Sequence, residues 1–442
     1  MTSRRLVTIS EESWFAVGVA LGKAVAEKSC FAYRFDKVIH EDDLDIMKLW
    51  RSDLAPAAKL AMQKQTPLAY DLCLGFDTIF STKGDGFSVW ELLTLYEVDM
   101  FLHEYHYKCR FCEKRVMQGP RFVCVSCHPE DISDDSDAST IKKRITPTKR
   151  KKKCVVENTS VCQSCQPLHA NCVECACLLL PTNVLHETQG LGIANKAGCT
   201  GFARGDLCGQ TLEMSTDTYN YGRFDTVYNL TNTLANQSVL VYDVGCILSP
   251  FGLNSSNLAL CVFNLYNSDY ALPPYKVPRV PMAAIQWEIL LGSKSVNSAL
   301  KFLQSIPKPF TSASFLITTF QNSHVVEISA NKHWTTKNEC IVRANNCLNE
   351  STLIPNESLP PNISSRTREL NLRESISTWT TTTNLLEVAK ESLSTAIIQT
   401  DYCLGTIIMQ SQILQMQVRF RVGTRISSTL KNGGKWEVYH IT

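Results

Sequence analysis

Residues 109–127 read CRFCEKRVMQGPRFVCVSC, and residues 162–177 read CQSCQPLHANCVECAC. Together they hold four Cys-x-x-Cys pairs: Cys109/Cys112, Cys124/Cys127, Cys162/Cys165 and Cys172/Cys175, with Cys177 just behind. Two thiolates at that spacing sit on a tight turn and approach one tetrahedral zinc from the same side. Four pairs offer enough sulfur for two closed structural sites. His103, His106, His128 and His169 flank the pairs and are able to replace a cysteine. Disulfides or a redox dithiol are the alternatives, but a reducing compartment leaves thiols free as ligands. The expected cofactor is therefore two Zn2+, held by Cys109, Cys112, Cys124, Cys127, Cys162, Cys165, His169, Cys172 and Cys175. Cys177, His103 and His106 are further candidates for completing the second site.

The rest of the composition is ordinary. The chain has 442 residues, an apolar fraction of 44% and a formal net charge of +2, so buried cores are within reach and no global field selects a nucleic-acid or membrane partner. Cys30, Cys73, Cys261 and Cys403 lie scattered in apolar surroundings, as buried free thiols do. Trp14 to Ala26 is apolar and ends in Ala-Val-Ala, yet Glu11 and Glu12 precede it and Lys23 interrupts it, which breaks the order of a signal peptide. Asn-x-Ser/Thr sequons decide little in a chain this rich in Asn, Ser and Thr. No apolar run is long enough to span a bilayer.

Outward from the cysteines, residues 1–107 read as a helical region. Trp14, Phe15, Val17, Leu21 and Val25 fit one broad helix face. Glu41–Trp50 and Leu54–Gln65 read as two more helices, and Ser88 with Glu91 forms a capping-box pattern. Residues 108–180 form the cysteine-rich module, with an insertion over 129–158. Aspartates alternate there with Ser133 and Ser136, and the basic run Lys149, Arg150, Lys151, Lys152 and Lys153 follows. Such a stretch cannot bury apolar area and reads as disordered. The run PTKRKKK resembles a nuclear-import signal; nucleic-acid contact or a solvated loop is the alternative. Ser133 and Ser136 resemble acidic-directed phosphorylation sites.

Residues 181–215 read as a Gly-rich connector whose Arg204-Gly205-Asp206 is accidental. Residues 216–442 read as β-rich, with strands at Val239–Leu248, Leu258–Tyr266, Ile285–Leu291, Phe315–Phe320 and Val325–Ala330. From Gln415 to Val422, apolar and polar residues alternate, as in a strand wet on one face. A helix is expected from Asn384 to Gln399. The fold class expected is α+β multidomain: a helical N-terminal region, a two-zinc module and a β-sandwich or jelly-roll C-terminal domain.

The stretch from Cys109 to Cys165 resembles a ZZ-type zinc finger, or more broadly a RING-like cross-brace. The resemblance rests on Cys109-x-x-Cys112, on Gly119, Arg121, Phe122 and Cys124 within GPRFVCVSC, and on Cys162-x-x-Cys165. It implies that Cys109, Cys112, Cys162 and Cys165 share one zinc while Cys124 and Cys127 begin the other. It also implies a module that binds peptides or ubiquitin-like proteins.

No Gly-x-Ser-x-Gly elbow and no His-Glu-x-x-His is present, and nineteen cysteines with nine histidines point to no particular catalytic pair. The sequence thus predicts a non-enzymatic, zinc-stabilised interaction protein of nucleus and cytoplasm, with a protein or peptide partner and an import receptor. Nucleic acid would bind through the basic loop only, and no membrane is involved. A viral coat-like or regulatory protein and a RING-like ubiquitin ligase are the alternatives.

Overall fold

The computed structural model describes residues 6–26, 50–83, 88–94, 121–124, 160–162, 179–181, 199–213, 226–243, 247, 250–265, 279–306, 309, 312–328, 333–347, 363–379, 384–395, 403–420 and 435–441. Along the chain the elements are β1 (Leu6–Glu11), α1 (Trp14–Ala26), α2 (Ala55–Gln65), α3 (Pro67–Lys83), β2 (Arg121–Cys124), β3 (Ser160–Cys162), β4 (Leu179–Pro181), β5 (Thr200–Arg204) and β6 (Leu207–Glu213). There follow β7 (Thr226–Asn232), β8 (Gln237–Asp243), β9 (Pro250–Asn254), β10 (Ala259–Asn264), α4 (Met282–Gly292), α5 (Val296–Ser305), β11 (Ala313–Thr318), β12 (Ser323–Ile328), β13 (His333–Asn338) and β14 (Cys340–Arg343). The last elements are α6 (Ile363–Ser377), α7 (Leu385–Leu393), β15 (Cys403–Gln410), β16 (Gln415–Phe420) and β17 (Trp436–His440).

Two large sheets stack face to face. The first has the order β1-β7-β8-β9-β10-β11-β12-β13, and the second β14-β5-β6-β15-β16-β17. In the first, β1 runs parallel to β7 and the other neighbours are antiparallel. Their inner faces meet where Tyr242 of β8 packs edge-on against Phe420 of β16, ring centres 5.7 Å apart. Close approach is enforced by small residues: a Cβ on Gly201 would lie 2.9 Å from the Phe263 ring, and one on Gly405 would strike the Tyr242 hydroxyl. α1, α3 and α4 cover the outer face of the first sheet, and α6 and α7 cover that of the second. The architecture is a four-layered αββα sandwich.

This corrects the expected fold class. The N-terminal residues are not a separate helical unit beside a jelly-roll. β1 extends the large sheet, and α1 and α3 form its outer helical layer. α1 and α3 touch backbone to backbone, since a Cβ on Gly18 would strike the Leu72 carbonyl and one on Gly75 the Phe15 carbonyl. Glu288 of α4 reaches 219 residues back to accept the Ala69 N–H at 2.9 Å, in the first turn of α3, where unpaired helical N–H groups need an acceptor.

Ile285–Leu291, expected as a strand, lies in α4. This helix is buried on every side, between the first sheet and α3, so its sequence carries no amphipathic stripe to distinguish it from a buried strand. α6 (Ile363–Ser377) is a helix where none is expected. β16 buries Met416, Val418 and Phe420 as the alternation requires, but Gln417 is buried too, and Arg419 donates to Ser394 Oγ just after α7 at 2.7 Å. A helical layer covers the face expected to be wet. Among the described residues no helix is long and apolar enough to cross a membrane.

Candidate active site around Cys199

The hairpin β5–β6 is the segment that reads as a connector. Its strands are joined by the two-residue turn Gly205-Asp206, with Gly205 at φ 60°, a conformation that costs glycine little. The Arg-Gly-Asp tripeptide is therefore the hairpin turn. Its arginine is committed, Nη1 donating to the Ile376 carbonyl at 2.8 Å and Nη2 to the Trp379 carbonyl at 3.1 Å.

Cys199 immediately precedes β5 and is 5% exposed. Polar groups from two elements, β6 and α6, converge on the Cys199–Thr200 peptide. Thr211 of β6 accepts the Thr200 N–H at 3.1 Å and donates its hydroxyl to the Thr200 carbonyl at 3.3 Å. Arg368 of α6 donates from Nη1 to the Cys199 carbonyl at 2.9 Å and to the Thr200 hydroxyl, and from Nη2 to Asn345 Oδ1 at 3.1 Å. Asn345, two residues past β14, donates from Nδ2 to the Asn264 carbonyl at the end of β10, 2.9 Å away. One chain of hydrogen bonds thus runs from the Cys199 carbonyl, just ahead of β5 in the second sheet, through Arg368 of α6 and Asn345 to the first sheet.

A second layer of charge fixes this chain. Arg343 is fully buried, with Nη2 2.6 Å from Glu327 Oε1 and Nε donating to Ser314 Oγ at 3.2 Å. Glu369, next to Arg368, accepts from Asn346 Nδ2 and from Arg373 at 2.9 Å each. Ser365 accepts the Asn345 N–H at 2.8 Å and donates to Asn346 Oδ1 at 2.8 Å. Arg343, Asn345 and Asn346 come from one short stretch, and Ser365, Arg368 and Glu369 from little more than one turn of α6, so two segments lock together beside the cysteine.

The seven described free cysteines differ in their surroundings. Burial holds the Cys73 thiol far above the ordinary range, helped by Asp77 and Glu288. Burial raises Cys261 well above it too, assisted by a hydrogen bond with Cys208 and by the proximity of Cys208 and Cys199. Both behave as inert thiols. Cys199 differs in having a buried guanidinium bonded to its own peptide. A fixed cation therefore lies against the Cys199–Thr200 peptide.

The residues singled out from the sequence lie elsewhere. Cys124 ends β2 and Cys162 ends β3, in a small sheet of order β3-β2-β4. Cys109, Cys112, Cys127, Cys165, His169, Cys172, Cys175, Cys177, His103, His106, Ser133, Ser136 and Lys149–Lys153 lie outside the described residues. The expectation of zinc is corrected. Among the described residues no group of three or more His, Cys, Asp or Glu side chains could hold a metal, and the polar centre that the fold does build is a guanidinium bonded to the Cys199 carbonyl and to Asn345, not a sulfur cage. The signal that was open to reading is Gly205-Asp206 between Thr200–Arg204 and Leu207–Glu213, a two-residue turn between strand-like runs.

No protein-family profile matches the chain, and no curated protein matches it in sequence. Among solved structures, it is similar to a Caenorhabditis elegans N-acylethanolamine-hydrolyzing acid amidase ortholog, at 12% identity over 48% of this chain and 93% of that one, with a TM-score of 0.36. It is also similar to a mutant of conjugated bile acid hydrolase from Clostridium perfringens, at 13% identity over 55% and 96%, TM-score 0.35. A third is penicillin V acylase from Agrobacterium tumefaciens, at 13% identity over 56% and 84%, TM-score 0.31. At these values the description of fold and site rests on the contacts above. With a layered sandwich enclosing a buried thiol site, the readings as zinc-stabilised docking protein, coat-like viral protein and RING-like ligase are all corrected.

Proposed function

We propose that the protein is a thiol-dependent hydrolase of carboxamide bonds with Cys199 as its nucleophile. The observation that carries this reading is the hydrogen-bonded chain Cys199–Arg368–Asn345–Asn264, built from both sheets and α6 around one cysteine peptide. The thiol attacks the substrate carbonyl, the amine leaves with a proton, and water then hydrolyses the thioester to the acid. Arg368 stabilises charge on the reacting groups, Asn345 holds Arg368 in place, and Thr211 fixes the Cys199–Thr200 peptide.

A thiol nucleophile needs a base. β5, β6, β14 and α6, which frame Cys199, contain no histidine. The base in this reading is the α-amino group of Cys199, released when water cleaves the Gly198–Cys199 bond and leaves Gly198 as a carboxylate; a terminal amine beside its own nucleophile is a known solution to this need. Intact-mass measurement of the purified protein tests it. The expected result is two polypeptides, one ending at residue 198 and one beginning at Cys199, with hydrolysis of a panel of N-acyl amides abolished in Cys199→Ala. A single intact chain with no amidase activity overturns it.

A further inference from the structure

We infer that Cys208 of β6 and Cys261 of β10 close into a disulfide that clamps the two large sheets together when the chain folds in the presence of a thiol oxidant. Strand register places both side chains between the sheets. Gly201 and Ala203 of β5 lie opposite Gln210 and Cys208 of β6, and residues directly opposite one another share a face. That face looks at the first sheet, because Gln210 bonds the Val262 backbone on β10 and a Cβ on Gly201 would lie 2.9 Å from the Phe263 ring. Cys261 stands two residues before Phe263 on β10, so its side chain points the same way, back at β6. Cα atoms of β6 and β10 come within 8 Å of one another, closer than the ~10 Å of ordinary stacked sheets and near the reach of a disulfide, roughly 4.4–6.8 Å.

The second observation is that the two thiols meet. Cys208 and Cys261 share a hydrogen bond, both are fully buried, and both are free thiols. Cys199 is not the partner of Cys208. It lies four positions from Ala203, the residue opposite Cys208, which is roughly 13 Å along an extended strand. Burial holds the Cys261 thiol well above its ordinary range, so the packed pair reacts slowly, and the bond forms while the sheets are still coming together. One thiolate attacks glutathione disulfide and expels a glutathione thiolate. The other then attacks the protein sulfur of the mixed disulfide and expels the second. The protein loses two hydrogens and two electrons, and glutathione disulfide gains them. The bond closes a long loop that runs from β6 through β7, β8 and β9 to β10, so it constrains the unfolded chain strongly.

The full chain is synthesised in a cell-free system with either glutathione disulfide or dithiothreitol, as the wild type, Cys199→Ala, Cys208→Ala, Cys261→Ala and the double variant of the last two. Free thiols are blocked with N-ethylmaleimide in denaturant, and the digested protein is mapped by mass spectrometry without reduction. The expected result is a peptide pair joining Cys208 to Cys261 in the oxidised wild type and equally in Cys199→Ala, so the outcome does not depend on whether Cys199 is a nucleophile. The oxidised wild type should melt about 4 °C or more above the reduced protein. That gain should fall by the same amount in either alanine variant and in the double variant, since all three lack one and the same bond. Should the alanine variants not fold, the wild-type peptide map decides. Both thiols found alkylated after oxidative synthesis, or either one joined to a different cysteine, overturns the inference.

Discussion

Gln210 on β6 stands in for a missing strand beside Val262 on β10. Its Nε2 donates to the Val262 carbonyl at 2.6 Å and its Oε1 accepts the Val262 N–H at 3.0 Å. Among the described residues β9 pairs with β10 only at Ala259 and Leu260, and at Val262 an amide from the opposite sheet fills both positions. Replacing Gln210 by Leu leaves a buried donor and a buried acceptor unpaired, each costing about 1–3 kcal/mol. Urea unfolding should show a loss of about 2–6 kcal/mol for the two groups together, and the smaller loss expected for a surface glutamine would contradict the role described.

Arg368 is the link that touches Cys199. Lysine keeps its charge but not its fork, so Arg368→Lys cannot reach the Cys199 carbonyl and Asn345 Oδ1 together. The expectation is a fall in amide hydrolysis of about 100-fold or more, with circular dichroism unchanged. Wild-type turnover in this variant would show that the guanidinium only ties α6 to β5.

Arg343 and Glu327 pair inside the protein, joining β14 to β12 across the two sheets. Arg343→Met removes the buried cation that Glu327 and Glu369 both face, a loss of about 3–5 kcal/mol. Glu327→Leu should cost less, because Arg343 keeps Glu369 at 3.6 Å. The double variant should recover much of the loss, which a double-mutant cycle in urea measures directly.

Burial raises the Glu288 pKa from the ordinary carboxyl value of 4.5 to about 7, against the lowering effect of hydrogen bonds from the Ala69 and Leu68 amides. The folded state thus binds this proton more tightly than the unfolded chain does. Its contribution is fully present below pH 4.5 and is lost as pH rises towards 7, about 3 kcal/mol in all. Glu288→Gln removes that slope. The stability difference between variant and wild type should therefore shift in favour of the variant as pH rises, read from paired urea titrations on either side of that window. A difference independent of pH would mean that Glu288 titrates alike in both states.

Local signals were legible where one face is apolar or one cap is polar. The Trp14–Ala26 helix, the Ser88–Glu91 capping pair and the alternation of β16 are visible in the residues themselves. What could not be read is set by distant partners. α4 has apolar residues all round because α3 lies on the side away from the sheet. Asn384 begins α7 as expected, but its side chain caps nothing, and Glu387 pairs with Lys390 instead. Cys199 stayed hidden because nothing within the β5–β6 sequence announces Arg368, 169 residues away. The dense cysteines of 109–177 carry a stronger local pattern than a single thiol ahead of a hairpin.

The contacts that span the Gly198–Cys199 junction have a consequence for assembly. β1 lies hydrogen-bonded along β7, and Ala69 is tied to Glu288, so each side of the junction supplies part of the same layers. Severing the link leaves neither portion with a finished interior of its own. Two genes, each encoding one portion and translated in the same cell, should therefore yield an intertwined pair that purifies as a single species, while either portion made by itself should precipitate.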